Sequence, residues 1–571
     1  MANFFTKFNR FLGRSTGRAN REIDPDEIFI DSSNLPKFDT YQFEGRFERP
    51  ISARTIITLS IIFALLGGAS FGRLWLLQIK RGEAYGVRSE NNRLRFTDIF
   101  ANRGVIFDRN GVVLASNKEN TTGGEFALRT YANIDGIGNL VGYLKYPTKD
   151  AYGFYYRRNF VGQDGIEGTY NDVLSGTNGL KIVETDARGK VQSESVSRTP
   201  VDGANLTLTI DSRIQSELYK IIEDHARARE FSGGAAVLMD VRNGELLALV
   251  SFPEFNSSLM TEGDSDTLKK YLSDKNTPFL NRPISGLYTP GSIVKPILAL
   301  AALKEGIIDP NKQILSTGSL TVPNPYFPDK ASIFMDWKAH GYVDMRRAIA
   351  VSSNVYFYEV GGGFGDQKGL GIERIEKYVR SFGLGEKTGI RLPNEQGGVI
   401  PSPEWKKEVF PGDPWRIGDT YNSSIGQYGF QITPLQIARY ISAVANGGKL
   451  FTPVLVREDA ATAPVNVLDF APEHFQIVHE GLRKAVLEGT AAGLNVPSVE
   501  VAGKTGTAEL GTVKQLVNSW LIGYFPYKNP HYAFAVLMER GPRSNQIGAT
   551  AAMRQMLDWM TIYTPEYLKE D

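Results

Sequence analysis

An α+β protein carried on one membrane-spanning helix is the architecture this sequence predicts. Three observations predict it. Thr55 to Gly72 holds no charged residue, and the apolar character resumes from Leu74 to Ile79. Strand-like segments stand at both ends of the region after Leu206, with helical runs between them. The stretch between span and that region is rich in Gly, Asn, Tyr and Arg, with short β-like runs. At 571 residues the chain is too long for one ordinary domain. The expected division is a cytoplasmic tail (1–54), a transmembrane helix (55–79), an elongated mixed α/β pedestal (80–205) and a domain built on an antiparallel sheet flanked by helices (206–565).

Composition narrows the function classes. Hydrophobic residues make up 42% and charged residues 22%, the balance of a folded protein. The formal net charge is +1, with no basic stripe, so nucleic acid is not an expected partner. Cysteine is absent, which excludes disulfides, zinc fingers and a cysteine nucleophile. That suits an exported bacterial domain and many cytoplasmic proteins alike.

In the tail, Phe4, Phe5, Phe8, Phe11 and Leu12 fall at helical spacing with Lys7, Arg10 and Arg14 between them. An interfacial amphipathic helix has this pattern, and a disordered basic tail has the same composition. Residues 15–50 read as linker. The span exceeds the roughly 20 residues that cross a bilayer, and Arg73 has to snorkel beside Trp75. Flanking charge does not set its direction. Arg46, Arg49 and Arg54 precede it, and Lys80, Arg81, Arg88, Arg93 and Arg95 follow. Gly68 to Gly72 (GASFG) matches G-x-S-x-G but lacks the strand–turn–helix setting a nucleophile elbow needs. Ala64, Gly68 and Gly72 recur every four residues and place small side chains on one helix face, a spacing chance also gives.

Beyond the span, Arg109 to Gly111 marks a turn. From Leu206 a short strand leads into a helix. Gly233 to Ser251 then gives two strands around Asn243-Gly244, a hairpin signal. Late strands are expected in VEVAGKTGTAEL, NSWLIGYF and HYAFAVLME.

The chemistry sits in three short words. LYTPGSIVKPILAL places Ser292 at the mouth of an apolar helix, with Lys295 three residues on and Pro296 next. Pro296 has no N–H for the Ser292 carbonyl, so the first turn should be irregular and the Ser292 amide free. Such an amide is an oxyanion donor. A serine hydroxyl needs a base to attack. None of the five histidines stands in such a setting, whereas a neutral Lys295 on the same helix face can serve. S-x-x-K alone is a weak signal. AVSSNVYFY adds Ser352 and Asn354 as an S-x-N triplet, expected within a helix. VAGKTGTAEL adds Lys504, Thr505, Gly506 and Thr507 on a strand. The three words in this order resemble the serine acyl-transfer set of penicillin-binding proteins and serine β-lactamases, with Ser-Ser-Asn as an S-D-N-type triplet.

Longer words carry a resemblance over nearly the whole chain from the span onward: GEAYGVRSENNRLR, ANRGVIFDRNGVVLASN, YNDVLSGTNGLKIVETDARG, YTPGSIVKP, IPSPEWKK, GDTYNSSIGQ, ITPLQIARYISAVANGG and AGKTGTAE. These resemble the class B penicillin-binding proteins, and within that class the sequence is most similar to the penicillin-binding protein 2 group of elongation transpeptidases. No glycosyltransferase domain fits between Ile79 and the catalytic region, unlike class A. The resemblance implies a pedestal of dimerisation-domain type and a penicillin-binding transpeptidase domain. It implies a single-pass protein of the bacterial cytoplasmic membrane with its catalytic domain outside the cytoplasm, and that chemistry is the main ground for placing the tail inside.

The implied reaction is serine-type D-Ala-D-Ala transpeptidation. Ser292 attacks, Lys295 takes its proton, Ser352 passes a proton to the leaving amine, and Lys504 supplies charge that also holds Lys295 neutral. Asn354 holds the substrate amide, Thr505 and Thr507 bind the terminal carboxylate, and the Ser292 and Thr507 amides form the oxyanion hole. Gly506 leaves room for the acyl group beside the strand. Implied partners are peptidoglycan stem peptides, lipid-linked nascent glycan, a SEDS-family membrane glycan polymerase, and β-lactams as covalent inhibitors. No cofactor is implied.

Two departures stand out. The family usually writes G-Q-G where this chain has Gly426-Gln427-Tyr428-Gly429. Some members hold zinc near the S-x-N word, partly through cysteine; Asp336, His340 and Asp344 lie nearby without a cysteine and read as a surface cluster rather than a metal site. The alternatives are a division-specific transpeptidase, a β-lactam receptor or hydrolase, for which no deacylating glutamate is identified, and a scaffold that activates a membrane glycan polymerase.

Overall fold

The computed structural model describes residues 51–86, 94–121, 123–151, 155–185, 191–324, 327, 330–459, 463–511, 515–545 and 547–569. The amphipathic pattern of the tail lies outside the described residues.

Helix α1 (Ala53–Trp75) opens on a Ser52 cap whose side chain accepts from the Thr55 amide. A π-helical turn, Leu76–Lys80, continues it, giving 28 helical residues with no buried side chain. At 1.5 Å per residue that is about 42 Å, enough to cross a hydrocarbon layer of about 30 Å. The helix starts two residues before the expected Thr55. It is the one segment among the described residues long and apolar enough to span a membrane. A Cβ added at Gly67, Gly68 or Gly72 would meet open space.

The pedestal begins with β1 (Leu94–Ile99), β2 (Ile106–Phe107), β3 (Val113–Lys118) and β4 (Leu128–Tyr131), and later adds β5 (Gly179–Thr185), β6 (Val191–Arg198) and β7 (Leu206–Thr207). One sheet runs β1-β5-β6, all antiparallel. The other runs β7-β2-β3-β4, with β7 parallel to β2. The turn at Arg109–Gly111 closes as the sequence predicts, with the Gly111 amide on the Asp108 carbonyl and φ of 83°. Beneath these strands Glu167 takes the Arg103 and Arg129 Nε groups at 2.5 and 2.7 Å, all three side chains buried. Removing one member would leave an unpaired buried charge, which is why such clusters hold their geometry.

The larger region is a three-layer stack. Helix α2 (Ser212–Ala228) is capped by Asp211 and buries Ile214, Leu218, Ile221 and Ile222, an i, i+4, i+7, i+8 stripe. Strands β8 (Gly233–Asp240) and β9 (Leu246–Phe252) form the hairpin predicted at Asn243-Gly244. Then come α3 (Lys295–Lys304), the hairpin β10 (Ser319–Val322) and β11 (Ser332–Met335), α4 (Met345–Val351), α5 (Asn354–Gly362), α6 (Pro434–Ala445) and α7 (Pro472–Glu488). Strands β12 (Ala502–Leu510), β13 (Leu516–Phe525), β14 (Tyr532–Pro542) and helix α8 (Ala549–Tyr563) end the fold.

The five strands make one antiparallel sheet in the order β9-β8-β14-β13-β12. Side chains alternate across a strand, so both faces need cover. Ala235, Val237 and Met239 of β8 join one core with α3 and α6. Ala236 and Leu238 join a second core with α2 and α8. The strand carrying Lys504 to Thr507, β12, is left at an edge, with its register set by Lys504 opposite Ile522 and Gly506 opposite Trp520.

Candidate active site

Pro296 does what the sequence predicts. The chain enters α3 through a 3-10 turn, Gly291–Val294, and the helix proper starts at Lys295. Four outside contacts fix that turn. The Gly291 amide donates to the Gly426 carbonyl at 2.9 Å, Trp520 Nε1 donates to the Thr289 carbonyl at 3.0 Å, and Tyr440 Oη donates to the Ile293 carbonyl. Tyr288 pairs with Ile432 in both directions at 3.0 Å. The Ser292 hydroxyl has no hydrogen-bond partner among the described residues.

The S-x-N triplet does not lie within one helix; only its last residue, Asn354, is helical, as the first residue of α5. It stands at the break between α4 and α5, with Ser352 in the left-handed region at φ 59° and Ser353 capping α5 through the Tyr356 amide. Short hydroxyl side chains compete with the helix for backbone partners and collect at such ends. The break aims the Ser352 hydroxyl between two lysines: 3.3 Å from Lys295 Nζ and 2.8 Å from Lys504 Nζ.

Lys295 and Lys504 are both fully buried. Lys295 Nζ also donates to the Ser352 carbonyl at 2.9 Å and Asn354 Oδ1 at 2.7 Å. Lys504 Nζ donates to the Thr505 carbonyl at 2.8 Å. Burial pushes the Lys295 ammonium down to about 7, against an upward pull from the Asp336 carboxylate. Lys504 is pushed well down by burial first and by the Lys295 charge second. Burial therefore carries the depression of Lys295, where the sequence reading leaned on Lys504 as well. A neutral amine keeps two hydrogens and one lone pair. With both hydrogens on Ser352 O and Asn354 Oδ1, the lone pair of Lys295 is left for a hydroxyl proton.

The sequence suggests a surface cluster of Asp336, His340 and Asp344. The structure corrects this: the Asp336 side chain is fully buried and organises the site. Its Oδ2 accepts from Ser316 Oγ (3.1 Å), Ser353 Oγ (2.9 Å) and the Val355 amide (3.1 Å). Asp344 instead caps α4 through the Arg347 amide. Among the described residues no group of three or more His, Asp or Glu side chains is placed to hold a metal ion.

Gly506 also packs against the nucleophile turn. A Cβ there would run into the Ile293 side chain, the Pro290 carbonyl and Trp520 Cβ. The glycine lets the nucleophile turn lie against β12. Gly291 mirrors it, at φ 61° with Thr507's carbonyl where its Cβ would be. Thr507 is exposed at the sheet edge, and Thr505 Oγ1 bonds Thr490 Oγ1 at 2.6 Å. Asn354 Nδ2 donates to the Met335 carbonyl at 3.3 Å. Thus Ser292, Lys295, Ser352, Asn354 and Lys504 to Thr507 all converge, and sequence reasoning missed Asp336's role, Thr490, Tyr440 and Trp520.

Residues 234–558 match the penicillin binding protein transpeptidase domain family. The chain belongs to that family. Residues 125–208 match the penicillin-binding protein dimerisation domain, and the two together make this a class B penicillin-binding protein. It is 30% identical to the peptidoglycan D,D-transpeptidase MrdA of Acinetobacter baumannii, covering 84% of this chain and 83% of that one. The Haemophilus influenzae MrdA is 28% identical over 92% of this chain and 94% of its own length. Among solved structures, penicillin-binding protein 2 of Helicobacter pylori in complex with MreC is 28% identical, with a TM-score of 0.68, covering 82% of this chain and 99% of that one. A chain from a structure described as "Structural coordination of polymerization and crosslinking by a peptidoglycan synthase complex" is 29% identical with a TM-score of 0.67, covering 88% of this penicillin-binding protein and 97% of that chain.

Proposed function

We propose that this penicillin-binding protein is a peptidoglycan D,D-transpeptidase of cell-wall elongation, with Ser292 as nucleophile. The observation that carries the reading is the Ser352 hydroxyl held between two buried lysines beside the Ser292 turn. Ser292 Oγ attacks the carbonyl between two D-alanines of a stem peptide while Lys295 takes its proton. Ser352 relays a proton to the leaving amine, the C–N bond breaks, and D-alanine departs. An amine from a neighbouring strand then attacks the ester, and the proton returns to Ser292 as the new amide forms. The amides of Ser292 and Thr507 stabilise the oxyanion, worth several kcal/mol in comparable sites. Lys504, Thr505 and Thr507 receive the terminal carboxylate. Asn354 holds the substrate amide through its second Nδ2 hydrogen, because Oδ1 serves Lys295. β-Lactams are the covalent inhibitors this chemistry admits.

The pH dependence follows. Lys295 acts as a base only when neutral, and its ammonium lies at about 7. With purified full-length protein, a D-Ala-D-Ala-terminated stem peptide and an amine acceptor, D-alanine release should rise as pH climbs through about 7. Below pH 6 it should fall about tenfold per unit, the slope of one ionisation. A flat rate between pH 5.5 and 8.5 would oppose Lys295 as the base.

We place the chain in the bacterial cytoplasmic membrane as a single-pass protein, with residues 1–54 inside, 55–79 crossing, and the pedestal (80–205) and catalytic domain (206–565) outside, where stem peptides and lipid-linked glycan are joined. A SEDS-family glycan polymerase is the partner this reading names. The small-residue face at Ala64, Gly68 and Gly72 supports it, as does the similarity to a chain from a synthase complex. Gly68→Leu with Gly72→Leu should lower co-purification of the polymerase; full recovery would remove the span from the contact.

A further inference from the structure

The departure at Gly426-Gln427-Tyr428-Gly429 holds an unusual backbone. Tyr428 sits at φ 58°, a region where a bulky side chain is an outlier and glycine is the ordinary occupant. Something around it must compel that conformation. The surroundings supply it. The Tyr428 ring stands edge-on to Trp405 (5.7 Å between centroids, 82°) and to Trp415 (5.8 Å, 76°). Lys406 Nζ lies 5.7 Å from the ring centre, in the range of a cation–π contact.

That cage is itself anchored. Lys406 is buried and bonds Asp419 Oδ2 at 2.6 Å, Asp413 Oδ2 at 3.0 Å and the Pro414 carbonyl at 2.9 Å. Trp415 Nε1 donates to Thr420 Oγ1 at 2.8 Å. Neighbouring glycines fix which residue can carry the ring. A Cβ at Gly429 would enter the Trp405 indole, so the ring can stand at 428 and not at 429. A Cβ at Gly426 would enter the Gly291 carbonyl, and the Gly426 carbonyl accepts from the Gly291 amide at 2.9 Å. Gly291 directly precedes Ser292. A single residue, Gln427, therefore separates a clasped aromatic ring from the surface on which the nucleophile turn rests.

We infer that Tyr428 is a positioning residue for Ser292: its ring, clasped by Trp405 and Trp415, fixes the Gly426 loop that backs the Gly291–Ser292 turn. The inference rests on Ser292 being the nucleophile. Small displacements of a reacting group cost rate out of proportion to their size, up to about 100-fold for 1 Å.

The test is the split between the non-covalent Kd and the acylation rate constant for a chromogenic cephalosporin on the full-length protein. Tyr428→Gly relieves the backbone and removes the ring. It should lower the acylation rate constant about tenfold or more while Kd and melting temperature stay near wild type. Tyr428→Phe keeps the ring and should restore the rate. Trp415→Leu opens the cage from the other side, should act like Tyr428→Gly, and serves if the glycine variant does not fold. An acylation rate unchanged in folded Tyr428→Gly or Trp415→Leu overturns the inference, because a purely structural ring would move the melting temperature alone. Wild-type protein that acylates somewhere other than Ser292 would instead overturn the nucleophile assignment.

Discussion

Lys295→Ala is expected to slow penicillin acylation by about 10²–10⁴-fold, the usual loss when a general base is removed. The size of the effect follows from the absence of a substitute. Lys504 Nζ is committed to Ser352 Oγ and to the Thr505 carbonyl. Among the described residues no other buried amine touches the Ser352 hydroxyl. The fold should survive, because the truncation removes a buried amine whose charged form is costly. Second-order acylation rates across pH, with circular dichroism on each variant, give the answer. The rise through pH 7 should vanish along with the rate. Lys504→Arg should fall less, since arginine keeps a charge but presents a wide planar fork where a compact ammonium fits. A folded Lys295→Ala that acylates at the wild-type rate contradicts the mechanism.

The three catalytic words were legible because each carries its chemistry in residue type and short spacing. Ser292 and Lys295 are one helical turn apart, and Pro296 announces the irregular entry that the 3-10 turn provides. The antiparallel sheet was legible from apolar runs at both ends of the domain, and its central hairpin from Asn243-Gly244. What the sequence hides is longer in range. Asp336 lies between seventeen and twenty residues from the groups it holds and looks like any polar residue before a tryptophan; only its burial makes it an organiser. Ser352 was placed within a helix because the flanking residues suit one, yet consecutive Ser-Ser-Asn is a run of capping residues and could have signalled the break. For Gly506 the sequence suggests room for an acyl group but not its packing against the nucleophile turn. Which side a strand residue faces depends on register, and the register against Trp520 turns that position toward Ile293. Tyr428 shows the same limit, since its positive φ and the contacts its ring makes with Trp405, Trp415 and Lys406 appear only in the folded chain.

The second large effect belongs to Ser292 itself, and it is the most direct test of the account. A β-lactam ring opens as the serine ester forms and no group leaves with that step, so the adduct adds the full mass of the antibiotic. Full-length protein labelled with fluorescent penicillin, digested and mapped by mass spectrometry should carry one adduct, on the peptide containing Ser292. Ser292→Ala should lose it completely, because the neighbouring hydroxyl of Ser352 is held by both lysines rather than free to attack. An adduct mapped to another residue, or one that persists in folded Ser292→Ala, would contradict the assignment of this site.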